Sequence, residues 1–179
     1  MIKFFQQRAY NKALRNLDDK RVKEINKFDD VKIIGILFEI KEEEDYRLVL
    51  QLIDEIRNQQ KKVYAIAYCN EKHLPVYCED TLFLSHLCKK DIKGLAFPKG
   101  NYVERFTNRE YDLLINLDRK VIETLFYLFS KTKAKCKTAI HHEGFEETAD
   151  FMINIAEEDY SYKTHINELV YYLNEFSQK

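Results

Sequence analysis

The sequence predicts an α/β domain in which a mostly parallel sheet of five or six strands is covered by helices on both faces. Three observations lead there. Tyr111–Asp118 (YDLLINLD) carries Leu113, Leu114, Ile115 and Leu117 almost without interruption, the pattern of a strand buried on both faces, as parallel strands are. Val31–Ile40 (VKIIGILFEI) and Lys62–Cys69 (KVYAIAYC) are aliphatic, β-branched strands on either side of a helical segment, which is the spacing of a βαβ unit. A chain of 179 residues, 45% hydrophobic and 33% charged, is globular and long enough for one well-cored domain, short for two. The arrangement expected is a three-layer Rossmann-like or flavodoxin-like domain over residues 29–179, preceded by a basic helical arm at residues 1–28.

The arm has no glycine or proline, and Phe4, Phe5, Ala9, Ala13 and Leu17 form a thin apolar stripe that Val22, Ile25 and Phe28 continue. Asp18 and Asp19 are placed to break one helix and cap a second. Lys3, Arg8, Lys12, Arg15, Lys20, Arg21, Lys23 and Lys27 face only Asp18, Asp19 and Glu24, eight bases against three acids, so the arm carries about +5. In the first strand, Gly35 marks a place where a neighbour approaches closely. Glu43–Gln60 has the helical period, with Tyr46, Val49, Leu50, Ile53 and Ile56 on one stripe. Glu42, Glu43, Glu44 and Asp45 crowd its first turn, where the helix dipole favours them.

After the second strand the pattern loosens. Thr81–Leu87 reads as a short strand and Asp91–Gly100 as a loop closed by Pro98 and Gly100. Asn101 with Glu104 has the form of a capping box for a helix ending near Arg109. Beyond the Tyr111 strand, Val121–Phe129 is the helix that crosses back over the sheet. Ala134–Ile140 is a further strand, followed by a polar loop (HHEGFEET) and a short strand at Phe151–Ile155. Thr164–Ser177 closes the chain as a helix with Ile166, Leu169, Val170, Leu173 and Phe176 on one face.

Several function classes drop out. No apolar run approaches the roughly 20 residues of a membrane helix, and the start (MIKFFQQRAYNK) lacks the apolar core of a signal peptide, which points to the cytoplasm. Cys69, Cys78, Cys88 and Cys136 suit that compartment as reduced thiols. Their spacing matches no common zinc pattern, and His73 and His86 nearby do not change that balance. Adjacent His141 and His142 point apart on an extended segment. Four glycines leave little material for a phosphate-cradling loop. Neither G-x-G-x-x-G nor G-x-S-x-G is present. No metal or cofactor is expected, and the balance leans away from catalysis.

What remains is a choice of binding surface. Ligands of open α/β sheets bind beyond the carboxyl ends of the strands, which singles out Asn70, Asn116 and Asp118. For Asp118 a helix N-cap role weighs more than a ligand role. Lys131, Lys133, Lys135 and Lys137 alternate, and in an extended strand all four point the same way. With Lys3, Arg8, Lys12 and Arg15 they form a candidate patch for an anionic partner, RNA or a ribosome. Protection of an edge strand explains the same lysines, and helix-end lysines another part of them. Between Thr138 and Tyr162 there is no Lys or Arg, but Glu143, Glu146, Glu147, Asp150, Glu157, Glu158 and Asp159 are present. The favoured expectation is a non-catalytic binding or accessory module working through its basic arm. The alternatives are an enzyme that binds a small molecule, nucleotide or sugar phosphate at the strand ends, and a scaffold with a protein partner.

The order of a basic N-terminal helix, KIIGILFEI, YDLLINLD and ADFMINI before a final amphipathic helix resembles an uncharacterised family of the Bacteroidota, a domain of unknown function. The resemblance covers most of the chain and implies a fold but no activity, because its motifs are strands. Locally, Tyr111–Gly144, with YDLLINLD, its helix and KCKTAIHHEG, is similar to the N-terminal domain of heptosyltransferase-like glycosyltransferases. Those enzymes need a second Rossmann-like domain for the sugar nucleotide, for which 179 residues leave no room, so this likeness too implies fold.

Overall fold

Six extended segments pair side by side, all in parallel, in the computed structural model, which describes residues 10–14, 21–94 and 97–176. They are β1 (Ile33–Ile40), β2 (Lys62–Cys69), β3 (Leu84–Cys88), β6 (Tyr111–Asn116), β7 (Ala134–Ile140) and β8 (Phe151–Ile153). Two-residue strands β4 (Ile92–Lys93) and β5 (Phe97–Pro98) form a separate antiparallel hairpin. The sheet order is β3-β2-β1-β6-β7-β8. The chain therefore winds outward from β1, returns to its other side with β6, and winds outward again. This is the doubly wound Rossmann order, and its direction reverses between β1 and β6.

Period-two alternation along β1 divides the core. Ile34, Ile36, Phe38 and Ile40 pack against Tyr46, Val49, Ile53 and Ile56 of α1 (Glu43–Asn58) and Ile166, Leu169 and Leu173 of α4 (Tyr162–Phe176). Leu37 points the other way, toward Val103 and Phe106 of α2 (Asn101–Thr107) and Leu125, Leu128 and Phe129 of α3 (Glu123–Lys131). Both faces of the sheet are thus covered, as the uninterrupted apolar runs require. Among the described residues no helix is long and apolar enough to cross a membrane.

Gly35 sits where β1 meets β6. A Cβ there would lie 2.7 Å from Leu114 Cδ1 and 3.1 Å from Tyr111 Cε1, both residues being fully buried. A strand glycine ordinarily gains stability when replaced by alanine. Here the added methyl overpacks a closed core, so Gly35→Ala should lower the unfolding free energy by about 1–3 kcal/mol in a urea titration followed by circular dichroism.

The structure differs from the sequence expectations at several boundaries. Residues 10–14 are helical, but 21–27 are not. There the Glu24 N–H donates to the Lys135 carbonyl (3.0 Å), so the backbone is tied to β7 rather than to its own preceding turn. The remaining arm residues, with Lys3, Arg8 and Arg15, lie outside the described residues. β3 begins at Leu84 because the Thr81 hydroxyl accepts the N–H groups of Phe83 and Leu84 and holds a local turn. The expected Asn101–Glu104 capping box does not form. Gly100 is the N-cap, at φ 123, and Asn101 is already helical. Nor does Asp118 cap α3, which starts at Glu123 behind Ile122.

Candidate functional site

At the reversal point, Leu37 and Asn116 are the last residues in register between β1 and β6, and the Leu117 N–H donates to the Leu37 carbonyl (2.9 Å). Asn116 is buried and its amide donates to the Asp118 carbonyl (3.3 Å). Asp118 Oδ1 accepts the Glu39 N–H (3.1 Å), so this carboxyl clamps the ends of the two strands together. Asp118 is 2% exposed, and Oδ2 has no partner among the described residues. Burial pushes the carboxyl up to about 7. Glu39's charge adds to this, while the Glu39 N–H and Lys41 oppose it. Above it runs the segment 157–162. Tyr160 Oη donates to the Leu117 carbonyl (2.6 Å), and Arg119 lies over the Tyr160 ring (5.0 Å) while donating to the Glu157 carbonyl (3.2 Å). On this side the strand ends are closed by protein.

On the other face a cleft of about 450 Å³ opens at the carboxyl ends of β1, β2 and β3. Its polar groups are Glu39, Tyr68, Asn70, Lys89, Glu123 and Thr124, over an apolar wall of Ile92 and Ile122. The fold brings them together from separate crossovers. Glu39 occupies the position on β1 that alternates toward α2 and α3, and Tyr68 faces it in register across β2. Tyr68 Oη donates to Asn70 Oδ1 (3.3 Å). Burial, reinforced by the Glu39 charge, holds the Tyr68 phenol above its ordinary value. Lys89 follows β3, anchored by its N–H on the Glu71 carbonyl (2.8 Å). Glu123 and Thr124 open α3, and Tyr10 braces that turn by donating to the Glu123 carbonyl (2.8 Å).

Two carboxylates therefore face one ammonium in the cleft. A further set of charges lies outside the cleft, at the start of the helix that covers the opposite face. In dinucleotide-binding folds the pyrophosphate rests on the helix N-terminus after the first strand. Here that turn carries Glu43, Glu44 and Asp45. Carboxylates already occupy the positive end of the dipole, and they repel a diphosphate.

Of the residues singled out from sequence, Asn70 lines the cleft, while Asn116 and Asp118 are linked to each other beneath the strand ends. The four lysines do not form one row. Lys131 still belongs to α3, near the Tyr127 ring (5.9 Å), and Lys133 is exposed. Lys135 pairs with Glu24 (3.1 Å) and Asp112 (3.4 Å). Lys137 is 2% exposed, donating to the Ser130 carbonyl (2.9 Å) over the Phe129 ring. β8 pairs only with Thr138–Ile140, and the lysine-bearing half of β7 is flanked instead by the Glu24 N–H on the Lys135 carbonyl (3.0 Å) and the Asp150 N–H on the Lys137 carbonyl (2.8 Å). In the arm, Lys12 is exposed. Arg21 holds Asp150 through both guanidinium ends (Nη2–Oδ1 2.7 Å), and Lys23 joins it at 3.1 Å. Burial raises the Asp150 carboxyl, but the Arg21, Lys137 N–H and Lys23 bonds outweigh it and leave it below the usual range.

His86 and His142 are engaged locally. His86 Nε2 meets Tyr46 Oη (2.9 Å) and Nδ1 meets Asp80 Oδ1 (2.8 Å), while His142 Nδ1 accepts the Gly144 N–H (3.0 Å). Among the described residues no group of three or more His, Cys, Asp or Glu side chains is placed to hold a metal ion. Sequence reasoning missed Glu39, Lys89 and Glu123. Glu39 did leave a signal, a lone acid near the carboxyl end of an otherwise apolar strand. Comparison with curated proteins and with solved structures gave no match. A family model does match residues 3–176, almost the whole chain, and the protein thus belongs to a family of unknown function, DUF6913.

Proposed function

We propose that this protein is a small-molecule-binding α/β domain whose site is the cleft beyond β1, β2 and β3. The observation that carries this reading is a cleft of about 450 Å³ beside the point where a doubly wound sheet reverses direction, the place where such sheets take their ligands. Glu39 and Glu123 accept hydrogen bonds, Lys89 donates them, and Asn70 does both. With two carboxylates, Glu39 and Glu123, against the single Lys89 ammonium in the lining, the preferred ligand carries hydroxyl or amino groups and no diphosphate. The reading is one of binding, with no reaction assigned. Four free thiols support a cytoplasmic location for it.

An anionic partner such as RNA or a ribosome draws less support from the described residues, because Arg21, Lys23, Lys135 and Lys137 are committed to partners inside the fold. The test is a thermal-shift panel of polyols, amino sugars, nucleosides and their phosphates. At least one unphosphorylated member should raise the melting temperature, and Glu39→Gln and Glu123→Gln should each weaken its binding about tenfold, the loss of one charged hydrogen bond. Stabilisation by phosphorylated compounds alone, or stabilisation that survives both substitutions, would overturn the reading.

A further inference from the structure

A second cavity, of about 130 Å³, lies on the sheet face covered by α2, against the edge formed by β2 and β3. Arg105 and Arg109 reach it from the end of α2 and the turn that follows. Neither guanidinium meets a carboxylate among the described residues; Arg109 lies over the Tyr64 ring, 3.5 Å from its Cζ, and its guanidinium is beside the Tyr111 phenol. Arg109 Nε, at this wall, is shut off from solvent without a partner among the described residues. A buried donor left without an acceptor costs roughly 1–3 kcal/mol, and no acid in the lining neutralises the two guanidiniums, so the cavity lacks an anionic acceptor. The other walls are the rings of Phe83, Tyr102 and Phe106, and the lining includes no acidic residue.

We propose that this cavity is a binding site for a small aromatic carboxylate. The guanidinium fork matches a carboxylate in a bidentate geometry, and aromatic walls favour a flat apolar body. The volume fits as well, since a cavity of roughly 150 Å³ accepts a benzene ring. The site is separate from the cleft at the strand ends, shares none of its lining residues, and stands whether or not that cleft binds a ligand.

Benzoate and its neutral isostere benzamide are the probes, titrated into the full chain labelled with ¹⁵N. Benzoate should saturate with a dissociation constant of about 1 mM or tighter. Its shifts should centre on Tyr64, Ser85 and the Arg109 side chain. Benzamide should bind at least about tenfold more weakly, and Arg105→Gln should weaken benzoate by about the same factor. Arg105 is exposed, so that variant keeps the fold even if Arg109→Gln loses its contact with Tyr64 and loosens it. Benzamide binding as tightly as benzoate, no saturation by benzoate, or an Arg105→Gln protein with unchanged affinity would each overturn the assignment.

Discussion

Asp150→Ala should cost about 3–5 kcal/mol of stability, far more than a surface ion pair would. The Asp150 carboxylate accepts both ends of the Arg21 guanidinium, the Lys23 ammonium and the Lys137 N–H (2.9 Å). The Arg21 and Asp150 side chains are only 5% and 8% exposed, so removing the acid strands a cation in a poorly solvated place. The same change unpins the end of the arm from the loop before β8. Urea unfolding followed by circular dichroism gives the number. Arg21→Met with Asp150→Leu should recover much of the loss, because a well-packed apolar pair replaces a buried ionic one. A cost below about 1 kcal/mol for Asp150→Ala would mean that the pair behaves as a solvated surface bridge.

Stability should respond to pH through two buried groups that pull in opposite directions. Asp118 has its carboxyl pushed up to about 7 from 3.8. Between those values the native state holds a proton that the unfolded chain has released. Its contribution is therefore present below pH 3.8 and is lost as pH rises through 7, about 4 kcal/mol in all. His165, on α4, is completely buried with neither ring nitrogen partnered among the described residues, and burial lowers its imidazole from 6.5 to about 4. Its contribution is present above pH 6.5 and is lost as pH falls through 4, about 3 kcal/mol. From pH 4 to 6.5 the two slopes cancel in the native protein. Asp118→Asn should unmask the histidine, so that stability climbs by about 3 kcal/mol across that window, and should exceed the native protein's stability at pH 8. His165→Leu should show the reverse slope. Urea midpoints at pH 4.5 and 7.5 for the three proteins check both signs, and parallel profiles for all three would contradict the account.

Sequence pattern reached furthest where burial is symmetrical. β2 begins and ends on the residues its apolar run indicates, since a strand covered on both faces is apolar along nearly its whole length, and β7 keeps its expected bounds although Lys135 and Lys137 interrupt it. Where a short-range bond decides, the pattern failed. The Thr81 hydroxyl delays β3, and Gly100 rather than Asn101 starts α2. The lysine alternation misled because the period of two was applied from Lys131, which is still helical, and because nothing local to Lys137 shows that the end of α3 covers it. Asn70 was legible from its place after a strand. Glu39 lies in β1, Lys89 follows β3 and Glu123 opens α3, and only the sheet order makes them neighbours.

The most direct test of where this protein binds is chemical-shift mapping, on the ¹⁵N-labelled chain, of whichever compound stabilises it in the thermal-shift panel. Perturbations should gather on Asn70, Lys89, Gly94 and Thr124, with residues 21–27 and Lys131–Lys137 unmoved. Shifts centred on those arm and lysine residues, with the cleft silent, would contradict it.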